Sequence, residues 1–212
     1  MIDETKKYLH PDNPNWISYH ENYFQLAMHA QRYVRAQEIY QQVIISRQGR
    51  TMNPYQKDVW KIYGACLHFA LHDTRQINRF NPRHYFNSVS KSYSDKKGLY
   101  FLMQALKLMH LFMQDDEHLA EANESFRQYC QRHISRKKNY RSYLFSKMLL
   151  LVFKYDSDLQ KVEQTGKKFY QRLLEFKDHT LQDREITEII PYEHLWYMLL
   201  RQLNQRQTRI AA

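Results

Sequence analysis

Apolar residues recur at helical spacing along most of this chain, and the helices that they predict alternate between two kinds. A helix that is apolar nearly all round, over residues 97–112, is followed by one with a single apolar face, over residues 117–134. The same order repeats over residues 140–153 and 159–176. Each such pair leaves apolar surface that it cannot cover alone, so pairs must stack. The pattern therefore predicts an all-α fold of stacked antiparallel helix pairs, with seven to nine helices.

The remaining helices are predicted from their apolar spacing and their start signals. Two helices near the N-terminus are predicted over residues 15–30 and 32–45. Asn53 followed by Pro54 is a strong helix start, because an asparagine side chain caps the first turn and proline fits the first helical position. Pro191 begins a final amphipathic helix, which we expect to cap the C-terminal end of the stack.

These elements predict the organisation of the chain. A polar lead-in covers residues 1–14, a single helical-repeat domain covers residues 15–206, and a polar tail covers residues 207–212. Within the domain, residues 74–94 are rich in Asn, Ser and Arg and predict a break in the array, interrupted by a short helix over residues 83–89. No apolar leader and no run of about 20 apolar residues is visible, so we expect no membrane span and a cytoplasmic location.

Composition supports a helical fold and adds a marked positive charge. The chain of 212 residues has only 4 Gly and 5 Pro, and 32 Lys and Arg against 22 Asp and Glu give a formal net charge of +10. Such an excess favours an acidic protein, a nucleic acid or an anionic membrane surface as partner. Cys66 and Cys130 fall at apolar helix positions, which predicts buried reduced thiols rather than a disulfide.

Two parts of the sequence resemble known proteins. Residues 20–43 resemble a tetratricopeptide-type repeat, with Ala36, Tyr40 and Val43 where that family keeps small, aromatic and small residues, and with Gln31 in place of a usual glycine. The C-terminal half, through the strings RSYLFSKML and EIIPYEHLW, is similar to the end of large, uncharacterised helical proteins common in Bacteroidota. The resemblance implies a tetratricopeptide-like α-solenoid and suggests that the chain is part of a larger protein. It implies no activity.

Two stretches combine many cations with few acids. Residues 127–141 have six Lys and Arg, no acid, and Tyr129 and Tyr140 among them; residues 75–97 have six cations against Asp95. Such stretches suit phosphate backbones or an acidic partner. The alternative is that Arg132 and Arg136 only complement a helix dipole and the rest keeps a loop soluble. The candidate contact residues are Arg132, Arg136, Lys137, Lys138, Arg141, Arg79, Arg83, Lys96 and Lys97.

Residues that suggest a metal site or catalysis are few. His68 and His72 lie one helical turn apart, but zinc needs three or four protein ligands, so we expect no metal and no cofactor. Acidic residues near His194 fall around the start of the last helix, where the dipole alone favours a carboxylate. No phosphate loop, nucleophile elbow or metalloprotease motif is present, so we expect no enzyme. These acidic residues are Glu185, Glu188 and Glu193.

The sequence leaves two functions open. The first is a non-enzymatic protein–protein interaction or scaffold module, whose groove, lined by aromatic residues and rimmed by Lys and Arg, binds acidic or helical segments. The alternative is a helical protein that binds nucleic acid or another polyanion. Tyrosines at helical core spacing are expected to pack inside, whereas those near loops or helix starts are freer to meet a partner. The first group is Tyr40, Tyr63, Tyr129 and Tyr170, and the second is Tyr93, Tyr100 and Tyr140.

Overall fold

A computed structural model describes residues 13, 15–71, 99–176 and 188–211 of the chain. All the regular secondary structure in these ranges is helical, which confirms the all-α prediction. The helices are α1 (Trp16–His29), α2 (Tyr33–Ile45), α3 (Arg47–Thr51), α4 (Pro54–Leu71), α5 (Leu99–Gln114), α6 (Leu119–His133), α7 (Tyr140–Lys154), α8 (Leu159–Glu175) and α9 (Tyr192–Ala211).

The helix bounds follow the apolar pattern closely. The helix predicted over residues 159–176 is α8, and the one predicted over residues 140–153 is α7, each within one residue at both ends. The short helix α3 was missed, since five residues hold too little of an apolar period to be recognised. The predicted short helix over residues 83–89 and the predicted break over residues 74–94 lie outside the described residues.

Side chains cap three of the described helix starts, those of α3, α4 and α8. Asn53 Oδ1 accepts a hydrogen bond from Gln56 N at 2.8 Å, and Asn53 N donates to Gln56 Oε1 at 3.1 Å. This reciprocal pair confirms Asn53 as the cap that opens α4. Asp158 caps α8 in a similar way, because its Oδ1 accepts from Lys161 N at 3.1 Å.

The chain divides into two compact units, Met1–Tyr93 and Ser94–Ala212, each with its own core. The boundary falls at the end of residues 74–94, where the sequence predicted a break. The single helical-repeat domain predicted over residues 15–206 stays a prediction.

The core of the first unit is built on aromatic rings. Phe24 on α1 and Tyr63 on α4 stack with centroids 4.9 Å apart, and Tyr40 on α2 lies 6.4 Å from Phe24. The hydroxyl of Tyr63 donates to Glu21 Oε1 at 2.8 Å and accepts from Gln25 Nε2 at 2.7 Å. Burial is the main reason that the pKa of Tyr63 is raised, so the hydroxyl stays a neutral hydrogen-bond donor.

The second unit is centred on α5 and α7. Eleven side chains of α5 are buried, as expected for a helix that is apolar nearly all round. Helix α7 contacts α5, α6, α8 and α9, and six of its apolar side chains between residues 144 and 153 are buried. This burial agrees with the apolar pattern of residues 140–153, which extends nearly all round the helix. Those six are Leu144, Phe145, Met148, Leu149, Leu151 and Val152.

Several turns adopt the left-handed conformation without glycine. Gln31 has φ 57°, and the turn that follows α1 is closed by bonds from Gln31 N to Met28 O at 3.1 Å and from Arg32 N to Ala27 O at 2.8 Å. This is a Schellman motif, in which glycine is the usual residue because it has no Cβ to strain the backbone. Gln31 is also the position at which the resemblance to a tetratricopeptide-type repeat predicts a glycine. Asp115 and Asp156 follow α5 and α7 in the same conformation.

The C-terminal end is more regular than the sequence predicted. We expected a polar tail over residues 207–212, but α9 continues through Ala211. Gln and Arg are good helix formers, and Gln207 Nε2 also donates to Ser157 O at 3.0 Å, which ties this end of α9 to the turn after α7. No described helix is both long and apolar enough to cross a lipid bilayer.

Candidate functional site

Four of the predicted contact residues come together in the connection between α6 and α7. Arg132 lies in the last turn of α6, and Arg136, Lys137 and Lys138 follow in the turn after it; all four side chains are exposed. We call residues 132–138 the basic turn. Its backbone is closed by a bond from Asn139 N to Ser135 O at 3.0 Å. Within the described ranges, no ion pair joins these four cations to a carboxylate.

Aromatic rings adjoin the basic turn on both sides. At the end of α6, the ring of Tyr129 lies 4.9 Å from that of His133 and 4.9 Å from that of Tyr100. At the start of α7, Tyr140 meets the edge of Phe176 with ring centroids 5.1 Å apart, and the Arg136 guanidinium lies 5.9 Å from the Tyr140 centroid. Tyr100, Tyr129 and Tyr140 are each half-buried.

Arg141 was predicted as a further polyanion contact, and this prediction is wrong. Arg141 is only 5% exposed. Nε donates to Glu188 Oε1 at 2.5 Å, Nη2 donates to Glu188 Oε2 at 2.9 Å and to Glu193 Oε2 at 2.8 Å, and Nη1 donates to Leu173 O at 2.8 Å. Burial would by itself lower the pKa of Arg141, but the hydrogen bonds and charges of Glu188 and Glu193 outweigh burial and raise it. Arg141 is therefore a charged core residue.

The same contacts define the role of the acidic residues near α9. Glu188 and Glu193 are each 5% exposed, and both bind the guanidinium of Arg141. They fasten the start of α9 to α7, assisted by the bond between Ser142 Oγ and Tyr192 Oη at 2.9 Å. A buried cluster of three charges of this kind orders a helix junction but offers a substrate little access.

The structure describes only some of the remaining candidate residues. His68 is buried in α4, and His72 lies outside the described residues. Among the residues that the structure describes, no three or more His, Cys, Asp or Glu side chains lie close enough together to hold a metal ion. Also outside the described residues are Arg79, Arg83, Tyr93, Lys96, Lys97 and Glu185.

The two cysteines are buried and free, as predicted. Burial raises the pKa of the Cys130 thiol to about 12, although Ser146 and Lys147 act in the opposite direction. Burial raises the pKa of the Cys66 thiol as well. Neither sulfur is a thiolate near neutral pH, so neither is activated as a nucleophile.

A groove lies between α8 and α9, at a position that the sequence did not predict. Its volume is about 420 Å³. Aromatic and aliphatic side chains make most of its wall, and two charged residues one turn apart on α8 contribute to its lining. The lining residues are Glu163, Gln164, Lys167, Tyr170, Trp196, Tyr197 and Leu200.

Gly166 explains how this groove is formed. A Cβ at Gly166 would lie 2.8 Å from Cζ2 of Trp196, which is closer than carbon atoms can approach. The missing side chain therefore lets the indole lie directly against α8, and this close approach of a neighbouring helix accounts for the glycine inside α8. With Trp196 turned inward and 4% exposed, the next residue, Tyr197, points outward and is 68% exposed.

The expected core role holds for only some of the tyrosines. Tyr63 is buried, whereas Tyr40, Tyr129 and Tyr170 are half-buried, and Tyr170 lines the groove. Tyr197 was not singled out, although its place next to Trp196 on an amphipathic helix is a signal that one of the two must face outward.

No family model, curated protein or solved structure matches the chain.

Proposed function

We propose that this protein is a non-enzymatic interaction module, built as a scaffold of stacked, tetratricopeptide-like helix pairs, which binds a segment of a partner protein in the groove between α8 and α9. The observation that carries the proposal is the exposure of Tyr197, 68%, beside half-buried Tyr170 and Leu200 in a groove of about 420 Å³. Large exposed aromatic side chains next to an apolar groove are typical of protein interfaces.

The energetics of the groove suit a peptide segment. Covering an aromatic side chain such as Tyr197 contributes about 2 kcal/mol, and tyrosine loses little conformational entropy when it is fixed. Trp196 is held by α8 before any partner arrives, so the floor of the groove is rigid. Rigidity lowers the cost of ordering the interface and raises affinity.

Charge favours a partner segment that carries carboxylates. Lys167 and Glu163 both line the groove and are exposed, and Lys168 and Arg172, exposed further along α8, make the local charge positive. The formal net charge of +10 attracts acidic partners at long range. We therefore propose an amphipathic segment whose apolar side chains contact Tyr197 and Leu200, and whose carboxylate meets Lys167.

The burial of the acidic residues near α9 supports a non-enzymatic role. Glu188 and Glu193 are the carboxylates with the most suggestive sequence positions, and both bind Arg141 in the core. A hydrolytic activity that is lost in a folded Glu188→Gln or Glu193→Gln variant would contradict this part of the proposal.

Photo-crosslinking tests the proposal. A benzophenone amino acid is placed at position 197 in the full chain, and at the exposed position 205 of the same helix as the control. We expect one protein partner to crosslink from position 197 and not from position 205. Lys167→Glu should weaken the crosslink at least fivefold, whereas Lys161→Glu, which alters a lysine paired with Asp158 outside the groove, should leave it unchanged. Equal crosslinking from both positions would refute the groove as the binding site.

A further inference from the structure

The basic turn concentrates positive charge to a degree that folding does not require. Between Glu124 and Asp156 the chain contains no acidic residue, and within that interval the basic turn carries Arg132, Arg136, Lys137 and Lys138, all exposed. Like charges this close in sequence repel one another, and neutral residues would keep the loop equally soluble.

The helix dipole explains one of these cations and makes the others unfavourable. Arg132 lies in the last turn of α6, where a cation is stabilised by the C-terminal carbonyl groups. Arg136, Lys137 and Lys138 lie past that helix and immediately before the N-terminus of α7, which is itself the positive end of a helix. Their charges add to the dipole of α7 instead of opposing it. The arrangement costs stability and produces a strong local positive potential.

Stacking surfaces lie on both sides of this potential. Tyr129 and His133 precede the turn with their rings 4.9 Å apart and inclined by 30°, and Tyr140 follows it, held by Phe176 at 5.1 Å. Tyr129 and Tyr140 are half-buried and His133 is exposed, so each ring keeps solvent-accessible surface while the fold holds the side chain in place. Unpaired nucleobases stack on aromatic rings of this kind, and cations beside the rings neutralise the phosphates.

We propose that the basic turn binds single-stranded nucleic acid, with its four cations on successive phosphates and with Tyr140 and the Tyr129–His133 pair stacking against unpaired bases. A duplex keeps its bases stacked inside, so it meets only the cations. Arg141 has no part in this surface, because its guanidinium is held in the core by Glu188 and Glu193. The basic turn is distinct from the groove between α8 and α9, and the nucleic-acid proposal does not depend on the partner proposed for that groove.

Salt dependence measures the cations. Fluorescence anisotropy follows the binding of a labelled 20-nucleotide oligouridylate to the full chain between 50 and 200 mM salt. Four neutralised phosphates predict a slope of log K against log salt of about −2.8, which is a loss of affinity of about 50-fold over this range. The triple variant Arg136→Gln, Lys137→Gln, Lys138→Gln should reduce the slope to about −0.7. The matched control Lys57→Gln, Lys154→Gln, Lys161→Gln removes the same charge from exposed lysines outside the basic turn and should keep a slope near −2.8.

Stacking is measured separately with Tyr140→Leu, which keeps an apolar contact with Phe176. Its affinity for the oligouridylate should fall about tenfold with an unchanged salt slope, and its affinity for a 20-base-pair duplex should stay the same. Circular dichroism establishes that each variant is folded. The proposal is overturned if the oligouridylate does not bind at 50 mM salt, or if the control lowers the slope as much as the triple variant. It is also overturned if Tyr140→Leu weakens single-strand and duplex binding equally, or if polyglutamate binds as tightly as the oligouridylate.

Discussion

Removal of the Arg141 guanidinium tests the buried charge cluster that joins α7 to α9. In Arg141→Met the side chain keeps its apolar stem but loses four hydrogen bonds, three to carboxylate oxygens and one to Leu173 O. Glu188 and Glu193 would then lie in the core without their cation. Breaking a buried ion pair by removing one partner costs about 3–5 kcal/mol, because the remaining charge stays desolvated.

The expected loss is large compared with the stability of a domain of this size, which is about 5–15 kcal/mol. At about 2–4 °C per kcal/mol, Tm should fall by roughly 6–20 °C. Urea unfolding followed by circular dichroism at 222 nm measures the free energy directly. The control is Arg136→Met on the exposed basic turn, which should change the free energy of unfolding by less than about 0.5 kcal/mol.

A second variant separates the charge cluster from side-chain volume. Arg141→Met combined with Glu188→Leu and Glu193→Leu replaces the whole cluster with apolar residues, and it should recover at least about 2 kcal/mol of the loss, because no uncompensated charge is left. If Arg141→Met costs less than about 1 kcal/mol, or if the triple variant is less stable than the single one, the assignment of Arg141 to the core is refuted.

Three further changes test other parts of the fold. Gln31→Gly should stabilise the protein by about 0.5–1 kcal/mol in urea unfolding, since glycine adopts φ 57° without strain; a loss of stability would contradict the Schellman geometry. Gly166→Val should destabilise the protein by about 1–3 kcal/mol and shift the fluorescence of Trp196. The control Gln171→Val, on the exposed face of α8, should cost less than about 0.7 kcal/mol. Similar losses of stability in the two variants would argue against the close packing of Trp196 on Gly166. Burial lowers the pKa of His20, although the hydrogen bond that its Nδ1 donates to Trp16 O acts in the opposite direction. The stability that neutral His20 contributes is therefore complete above pH 6.5, and it is lost as the pH falls through the lowered pKa of the folded state. The fall in Tm between pH 7.5 and 5.5 should therefore be smaller in His20→Gln, and an unchanged fall would exclude His20 as its source.

The helices could be predicted from the sequence because their signals are local. A 3.6-residue apolar period and the Asn53–Pro54 start signal depend only on neighbouring residues, and both predicted the ends of the helices with small errors. The exposed cations of the basic turn were also predicted, because a run without acids is visible in the sequence. These features depend on interactions within a few turns.

The burial of Arg141 could not be predicted in this way. Its partners Glu188 and Glu193 lie 47 and 52 residues further along the chain, and its immediate neighbours are the cations of a surface turn. The groove shows the same limit. The sequence does not show what lies against Gly166, and only the packing of α8 against α9 identifies that neighbour as Trp196 and turns Tyr197 outward.

The central claim, that the groove between α8 and α9 holds a partner segment, is tested most directly by isothermal titration calorimetry. The full chain is titrated with a synthetic peptide that covers the segment crosslinked from position 197. We predict one-to-one binding that is at least 30-fold weaker in Tyr197→Ala, as expected for a central aromatic contact, and unchanged in Leu26→Ala, which alters another exposed apolar side chain. Equal affinity of the peptide for the wild-type chain and for Tyr197→Ala would contradict the claim.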